Sequence, residues 1–289
     1  MFNWGFIIEK GRGNILILEV LCWRIIMDKQ LNLLYFSATD TTAKIVKEVA
    51  DGIGQLGKDY DITLPANRQK EITFDSDDIV IIGVPVYAGR VPEFLIDYFA
   101  KVKGNQTKAV FIVVYGNRDY EDALLELKDK LEENGFIGIA GGAFIGEHSY
   151  TSKLATGRPD NNDLKYAREF GMKIKEILNN EKNQNQTEIK ELSVKGNYPY
   201  KERKPQQPIA PETNDKCTNC GICAANCPMG AIDTLNFRVV DATKCVKCCR
   251  CIKKCPVNAK AIKQESFIQF TQGLIDKFSI TRHEPEIFL

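Results

Sequence analysis

Apolar and polar positions follow a repeating order from Leu31 onward. Leu31–Phe36 is a nearly continuous apolar run and predicts a buried strand. A polar stretch, S-A-T-D-T-T, follows. Then Ile45, Val46, Val49, Ile53 and Leu56 share one face of a helix. Asp61–Leu64 predicts a weaker strand, and the β-branched run Ile79–Val84 a central one. Pro92 suits the first position of a helix running over Glu93–Val102, with Phe94, Leu95, Tyr98 and Phe99 inward. Ala109–Tyr115 predicts a fourth strand, followed by a helix carrying Leu124, Leu127 and Leu131. Phe136–Phe144 predicts a fifth strand, and a last helix at about Asp163–Leu178 places Ala167, Phe170, Ile174 and Ile177 on one face. Strands that alternate with helices predict an α/β fold with a doubly wound, parallel, five-stranded sheet.

The pattern then breaks. Asn179–Pro211 is polar and ends in K-P-Q-Q-P-I-A-P, which reads as a semi-extended linker. Beyond it Cys217, Cys220, Cys223 and Cys227 are spaced C-x2-C-x2-C-x3-C, and Cys245, Cys248, Cys251 and Cys255 repeat that spacing, each run ending in C-P. This is the bacterial-type run for two [4Fe–4S] clusters, in which the fourth cysteine of each run ligates the other cluster. One cluster is therefore assigned to Cys217, Cys220, Cys223 and Cys255, and the other to Cys245, Cys248, Cys251 and Cys227. A zinc site would use paired C-x-x-C or mixed Cys/His ligands instead. Cys249 is surplus and is expected to be a small buried side chain. Pro228 and Pro256 are each expected to open a short helix, and metal binding to supply much of this small unit's folding free energy. Phe267, Phe270, Leu274 and Phe278 lie at helical spacing and predict an amphipathic helix docked on one of the domains.

Composition changes little in this picture. The 289 residues are 44% apolar and 27% charged with a formal net charge of +1, ordinary for a globular protein. No global charge argument points to nucleic acid or membrane. Nine of the ten cysteines fall between Cys217 and Cys255, and thiolate ligands imply a reducing, cytoplasmic setting. From Glu212 to Lys263 nine basic residues stand against four acidic ones. Lys244, Lys247, Arg250, Lys253 and Lys254 surround the second run, as a solvated basic face or as a docking face for an acidic partner. Residues 1–26 fit nothing that follows. They read as an over-extended start before Met27, with an extra edge strand at Ile15–Leu18 as the alternative.

Ligands of such sheets bind outside the carboxyl ends of the strands, which selects three loops. The first, Ser37, Ala38, Thr39, Asp40, Thr41 and Thr42, offers hydroxyls and N–H groups at a helix start and forms an anion site. Lacking G-x-G-x-x-G, it disfavours a dinucleotide. It resembles the flavodoxin phosphate loop, T/S-x-T-G-x-T, through Ser37, Thr39 and Thr42, with Asp40 where that family has glycine. A carboxylate there either opposes a phosphate or turns outward and caps the helix. In the second loop, Pro85, Val86, Tyr87, Ala88 and Gly89, the tyrosine suits a lid on a flat ring and the glycine a close backbone approach. The third offers Tyr115, Gly116, Asn117 and Tyr120 to ring edges and faces.

The whole order resembles the flavodoxin-like/ferredoxin fusion proteins of anaerobes. The two cysteine runs carry the resemblance, with P-V-Y-A-G-R-V-P, V-Y-G-N-R-D-Y and the Glu147–Asp163 segment containing His148. It implies a flavodoxin-like domain over 27–180 that binds FMN, a linker over 181–211, a two-cluster ferredoxin domain over 212–263 and a C-terminal helix and tail over 264–289. The expected function is electron transfer between the clusters and FMN, with a redox partner protein and no catalytic residues; homodimer formation is left open. Three alternatives stand beside it: a flavin-dependent reductase of a small substrate, a two-cluster ferredoxin whose first domain has lost FMN and serves for docking, and a scaffold with structural clusters.

Overall fold

The computed structural model describes residues 30–54, 57–183, 191–205 and 207–289. The expectations for residues 1–26, Met27 and Leu56 lie outside the described residues. The first domain is a parallel sheet of β1 (Leu31–Tyr35), β2 (Lys58–Asp61), β4 (Ile79–Pro85), β6 (Thr107–Tyr115) and β7 (Phe136–Ile145). Its order is β2-β1-β4-β6-β7, with the antiparallel β10 (Glu286–Phe288) added beyond β7. The short β3 (Ile72–Phe74) and β5 (Val102–Gly104) pair with each other, outside the main sheet. Val102 therefore belongs to a strand, and the helix expected to reach it ends at Phe99. The weak strand lies at Lys58–Asp61, slightly before its expected place.

β4 and β6 are buried on both faces, as their unbroken β-branched runs require. On one side, α1 (Thr41–Ile53) and α4 (Asn161–Asn183) cover the sheet with Ile45, Val46, Val49, Phe170 and Ile174. Gly52 and Gly171 let these helices touch backbone to backbone; a Cβ on Gly52 would meet Arg168 O and would lie 2.9 Å from Gly171 Cα. On the other side, α2 (Glu93–Phe99) and α3 (Ala123–Glu132) contribute Leu95, Phe99, Leu124, Leu127 and Leu131 to the second core layer.

Part of the expected linker is fastened down. Asn197 and Lys201 donate backbone N–H groups to the Asp122 carboxylate at 2.8 and 2.7 Å. Tyr200 OH donates to Asp129 at 2.7 Å, and Arg203 pairs with the buried Glu126 at 2.9 Å. Polarity marked this segment as a loop, and these four residues nevertheless bond to the first domain.

The second domain is small. β8 (Glu212–Thr213) pairs antiparallel with β9 (Lys260–Ala261), and two one-turn helices, α5 (Ile222–Ala225) and α6 (Arg250–Lys253), lie inside the cysteine runs. The helices expected after Pro228 and Pro256 are turns instead. The amphipathic helix α7 (Glu265–Phe278) docks on the first domain, its Phe267 ring 4.7 Å from that of Tyr150.

Candidate functional site

The two cysteine runs fold as copies of one loop. In the first, Asn219 and Gly221 take left-handed backbone at φ 58° and 75°; in the second, Lys247 and Cys249 do so at 54° and 59°. Each pair flanks the second cysteine of its run, turning the chain so that successive sulfurs point to one side. Cys249 thus occupies the position held by Gly221 in the first run. Its side chain is buried, as expected, and its Sγ lies 3.5 Å from Lys247 O. Sequence spacing identified the thiol as surplus; only the backbone shows that it stands at a glycine position.

Two cysteine-lined cavities result. Cys217, Cys220, Cys223 and Cys255 line one, and Cys227, Cys245, Cys248 and Cys251 line the other. The fourth cysteine of each run has crossed to the other cavity, the arrangement expected for paired cubanes. The fourth cysteines accept matching backbone bonds, Ala231 N–H to Cys227 Sγ at 3.2 Å and Ala259 N–H to Cys255 Sγ at 3.1 Å. Such N–H···S contacts stabilise thiolate charge and tune cluster potential. Burial pushes the Cys248 and Cys251 thiols up to about 12, so in the metal-free chain these two hold their protons and metal loading must release them.

The second cavity is pressed against the carboxyl end of the sheet. Cys248 packs into the first domain's core beside Val86 and Tyr87. Arg250 Nη1 donates to Ser37 O at 3.0 Å, to Ala38 O at 2.7 Å and to the Asp40 carboxylate at 3.3 Å. Lys254 pairs with Asp40 at 2.7 Å and Lys253 with Glu147 at 2.7 Å. Three of the basic residues around the second run, Arg250, Lys253 and Lys254, therefore face acidic groups of the chain's own first domain, while Lys244 pairs with Asp241 and Lys247 donates to Gln207 O.

This settles the direction of the Asp40 side chain. Asp40 adopts φ 67°, the left-handed conformation that explains glycine in the resembling loop, and its carboxylate turns out to Arg250 and Lys254 without capping the helix. Burial would raise its pKa, but Lys254 and Arg250 hold it below the ordinary carboxylate range. Inside the loop, Ser37 Oγ accepts the Ala43 N–H at 3.1 Å. The N–H groups of Ala38, Thr39, Asp40, Thr41 and Thr42 meet no protein acceptor among the described residues, and the Thr42 hydroxyl is buried without a partner. These donors fit the phosphate end of a flavin mononucleotide.

The ring end differs from expectation. Pro85 ends β4, Val86 donates its N–H to Val114 O at 2.9 Å, and Ala88 is exposed in a turn that Tyr87 and Arg90 close. Gly89 is needed at φ 84° beside Glu121. Tyr87 stays at the junction with Cys248 and Cys249, where burial raises its hydroxyl pKa well above the usual value. In the third loop, by contrast, Tyr115 and Tyr120 are 4% and 1% exposed and pack tilted against each other at 5.5 Å, so they are core residues and offer no face to a ligand. Asn117 donates to Phe278 O and Thr281 O at 2.8 and 2.7 Å, and Tyr120 OH to Glu286 at 2.7 Å. The C-terminal tail holds that loop. Gly116 lies under the His148 ring, 2.5 Å from where its Cβ would be. His148 Nδ1 accepts the Tyr150 N–H at 3.2 Å, and burial, then Lys253 and Arg118, lowers its pKa to about 4. Tyr150, beside Tyr87 and the second cysteine run, is the aromatic residue that sequence reasoning missed at this junction.

Comparison with known proteins supports the two-part reading. The Flavodoxin domain family matches residues 32–148, and the 4Fe-4S binding domain family matches residues 212–233. Solved structures that are similar include a flavodoxin from the domain Archaea, 13% identical, covering 52% of this chain and 99% of that one at a TM-score of 0.36. The rubredoxin oxygen:oxidoreductase of the anaerobe Desulfovibrio gigas is 14% identical over 58% of this chain and 41% of its own, at 0.38. A WrbA-like flavodoxin from Agrobacterium tumefaciens is 14% identical over 53% and 98%, at 0.34. No curated protein matches the chain. No helix among the described residues is long and apolar enough to cross a membrane. The flavodoxin-type match thus falls on the parallel sheet and the 4Fe-4S match on the first cysteine run, the order of parts found in a flavodoxin–ferredoxin fusion.

Proposed function

We propose that this chain is an electron-transfer protein that relays single electrons between two [4Fe–4S] clusters and an FMN, in the cytoplasm and with a separate redox protein as partner. One observation carries the reading: the second cysteine run is seated on the loops that would hold the flavin, with Cys248 packed beside Tyr87 and Arg250 bonded to the carbonyls of Ser37 and Ala38. FMN, when bound, exchanges one or two electrons and so joins one-electron carriers to two-electron chemistry.

The residues divide the work. The Ala38–Thr42 N–H groups and the Thr42 hydroxyl would receive the phosphate, while Arg250 and Lys254 hold the Asp40 carboxylate turned toward themselves. Tyr87 and Tyr150 stand beside the second cysteine run. Cys217, Cys220, Cys223 and Cys255 would hold one cubane and Cys227, Cys245, Cys248 and Cys251 the other, and the pair would supply one-electron carriers inside one unit.

Anaerobic reconstitution tests this. About eight iron and eight sulfide per chain with one FMN are expected, and a reductive titration should bleach cluster and flavin absorbance together. A second reading is favoured by the tail's hold on Asn117 and Tyr120: a two-cluster carrier docked on a domain without flavin. Full iron with no flavin retained after loading would select it, and absent iron would end both.

A further inference from the structure

Lys260 is the most deeply buried cation of the ferredoxin unit. It is 3% exposed and lines the first cysteine cavity. Pairing of β9 with β8 sets it opposite Thr213, and its Nζ donates to Thr213 Oγ1 at 2.7 Å and to Phe237 O at 2.9 Å. Both acceptors are neutral, and no carboxylate among the described residues pairs with this ammonium. Arg238, Lys244, Arg250, Lys253, Lys254 and Lys263 pair with carboxylates, Lys216 is exposed, and the less deeply buried Lys247 donates to Gln207 O at 3.4 Å.

A buried ammonium held only by neutral oxygens is costly, because hydrogen bonds do not replace the lost hydration of a full charge. Something anionic must face it when the protein is loaded. The charges available are the cysteine sulfurs: Lys260 lines the first cavity with Cys217, Cys220, Cys223 and Cys255 and is not among the residues lining the second. A loaded cubane with its four thiolates carries about −2, and reduction makes it more negative by one.

We infer that Lys260 is an internal counter-cation for the two clusters, one that raises the reduction potential of the first cluster more than that of the second and so sets the potential step between them. It is a tuning residue rather than a ligand. A fixed positive charge favours the reduced, more negative cluster, and the low dielectric around it keeps the effect strong. The inference rests on the two-cluster reading above.

The test uses the full chain, reconstituted without oxygen, as wild type, Lys260→Gln and Lys260→Arg. Iron and sulfide are counted first, and a wild type lacking two clusters refutes the functional reading itself. Where both clusters are present, an EPR-monitored redox titration reads the inference. Glutamine can still donate to Thr213 and Phe237 but carries no charge. It should weaken reduction of one cluster about tenfold, a fall of about 59 mV for a one-electron couple, and shift the other less, while arginine should keep both steps near wild type. Loss of clusters from the glutamine variant alone, with arginine loaded normally, also supports a charge requirement. Equal potentials in all three proteins, or the same loss of iron from both variants, overturns the inference.

Discussion

Replacing Arg250 with alanine should loosen the ferredoxin unit from the first domain. The side chain is 11% exposed and makes three contacts across the junction. Asp40 is half exposed, so its ion pair with Arg250 is screened and contributes little. The two bonds to the Ser37 and Ala38 carbonyls matter more. A hydrogen bond from a charged donor contributes about 1.5–3 kcal/mol, and the freed carbonyls recover part of that from water, so the net loss is about 3 kcal/mol. At 1.4 kcal/mol per decade the undocked population rises about 150-fold. Hydrogen exchange read by mass spectrometry should show faster exchange in peptides covering Val86–Arg90 and Cys245–Lys254, and electron transfer between the second cluster and the flavin should slow. Unchanged exchange in both segments would refute the assignment of Arg250 as the anchor.

Other outcomes follow from the same geometry. Cys220→Ser and Cys248→Ser should each remove one cluster's share of iron and of the EPR signal, since the two residues line different cavities. Gly52→Ala should lower the melting temperature through a cost of about 3 kcal/mol by overpacking, because its Cβ would meet the backbone of α4. His148 should stay neutral at pH 6 in an NMR titration: burial depresses its folded pKa to about 4, so stability is complete above pH 6.5 and falls as the pH drops from about 6.5 towards 4. A His148→Phe variant should lose that slope. Removing residues 279–289 should strip the Thr281 acceptor from Asn117 and the strand from β7, and lower the stability of the first domain.

Much of this was legible in the sequence because spacing carries it. The cysteine runs require a fixed number of residues between sulfurs, and the alternation of Leu31–Phe36, Ile79–Val84 and Ala109–Tyr115 with helical patterns requires a parallel sheet. β10 was not legible: Glu286–Phe288 is three residues long, too short to show a period, and it becomes a strand only because β7 offers an open edge. Tyr115, Asn117 and Tyr120 read as ligand contacts because they follow a strand, and nothing local reports that the tail returns to cover them. Arg250 and Lys254 read as surface charge for the same reason; their partner Asp40 is 210 and 214 residues away. Lys260 was invisible as a buried charge because burial is a property of the fold.

The return of the tail has a mechanical consequence. Residues 197–203 are fastened to α3, and α7 with β10 is fastened to the far edge of the sheet, so the cluster unit is moored fore and aft like a boat between two piers. A unit moored on one side only could swing out to meet a distant acceptor. This one keeps a high effective concentration at its berth even when the Arg250 contact opens. In the relay proposed above, exchange with the outside would then take place at the quay, at the first cavity, where Cys220 is exposed.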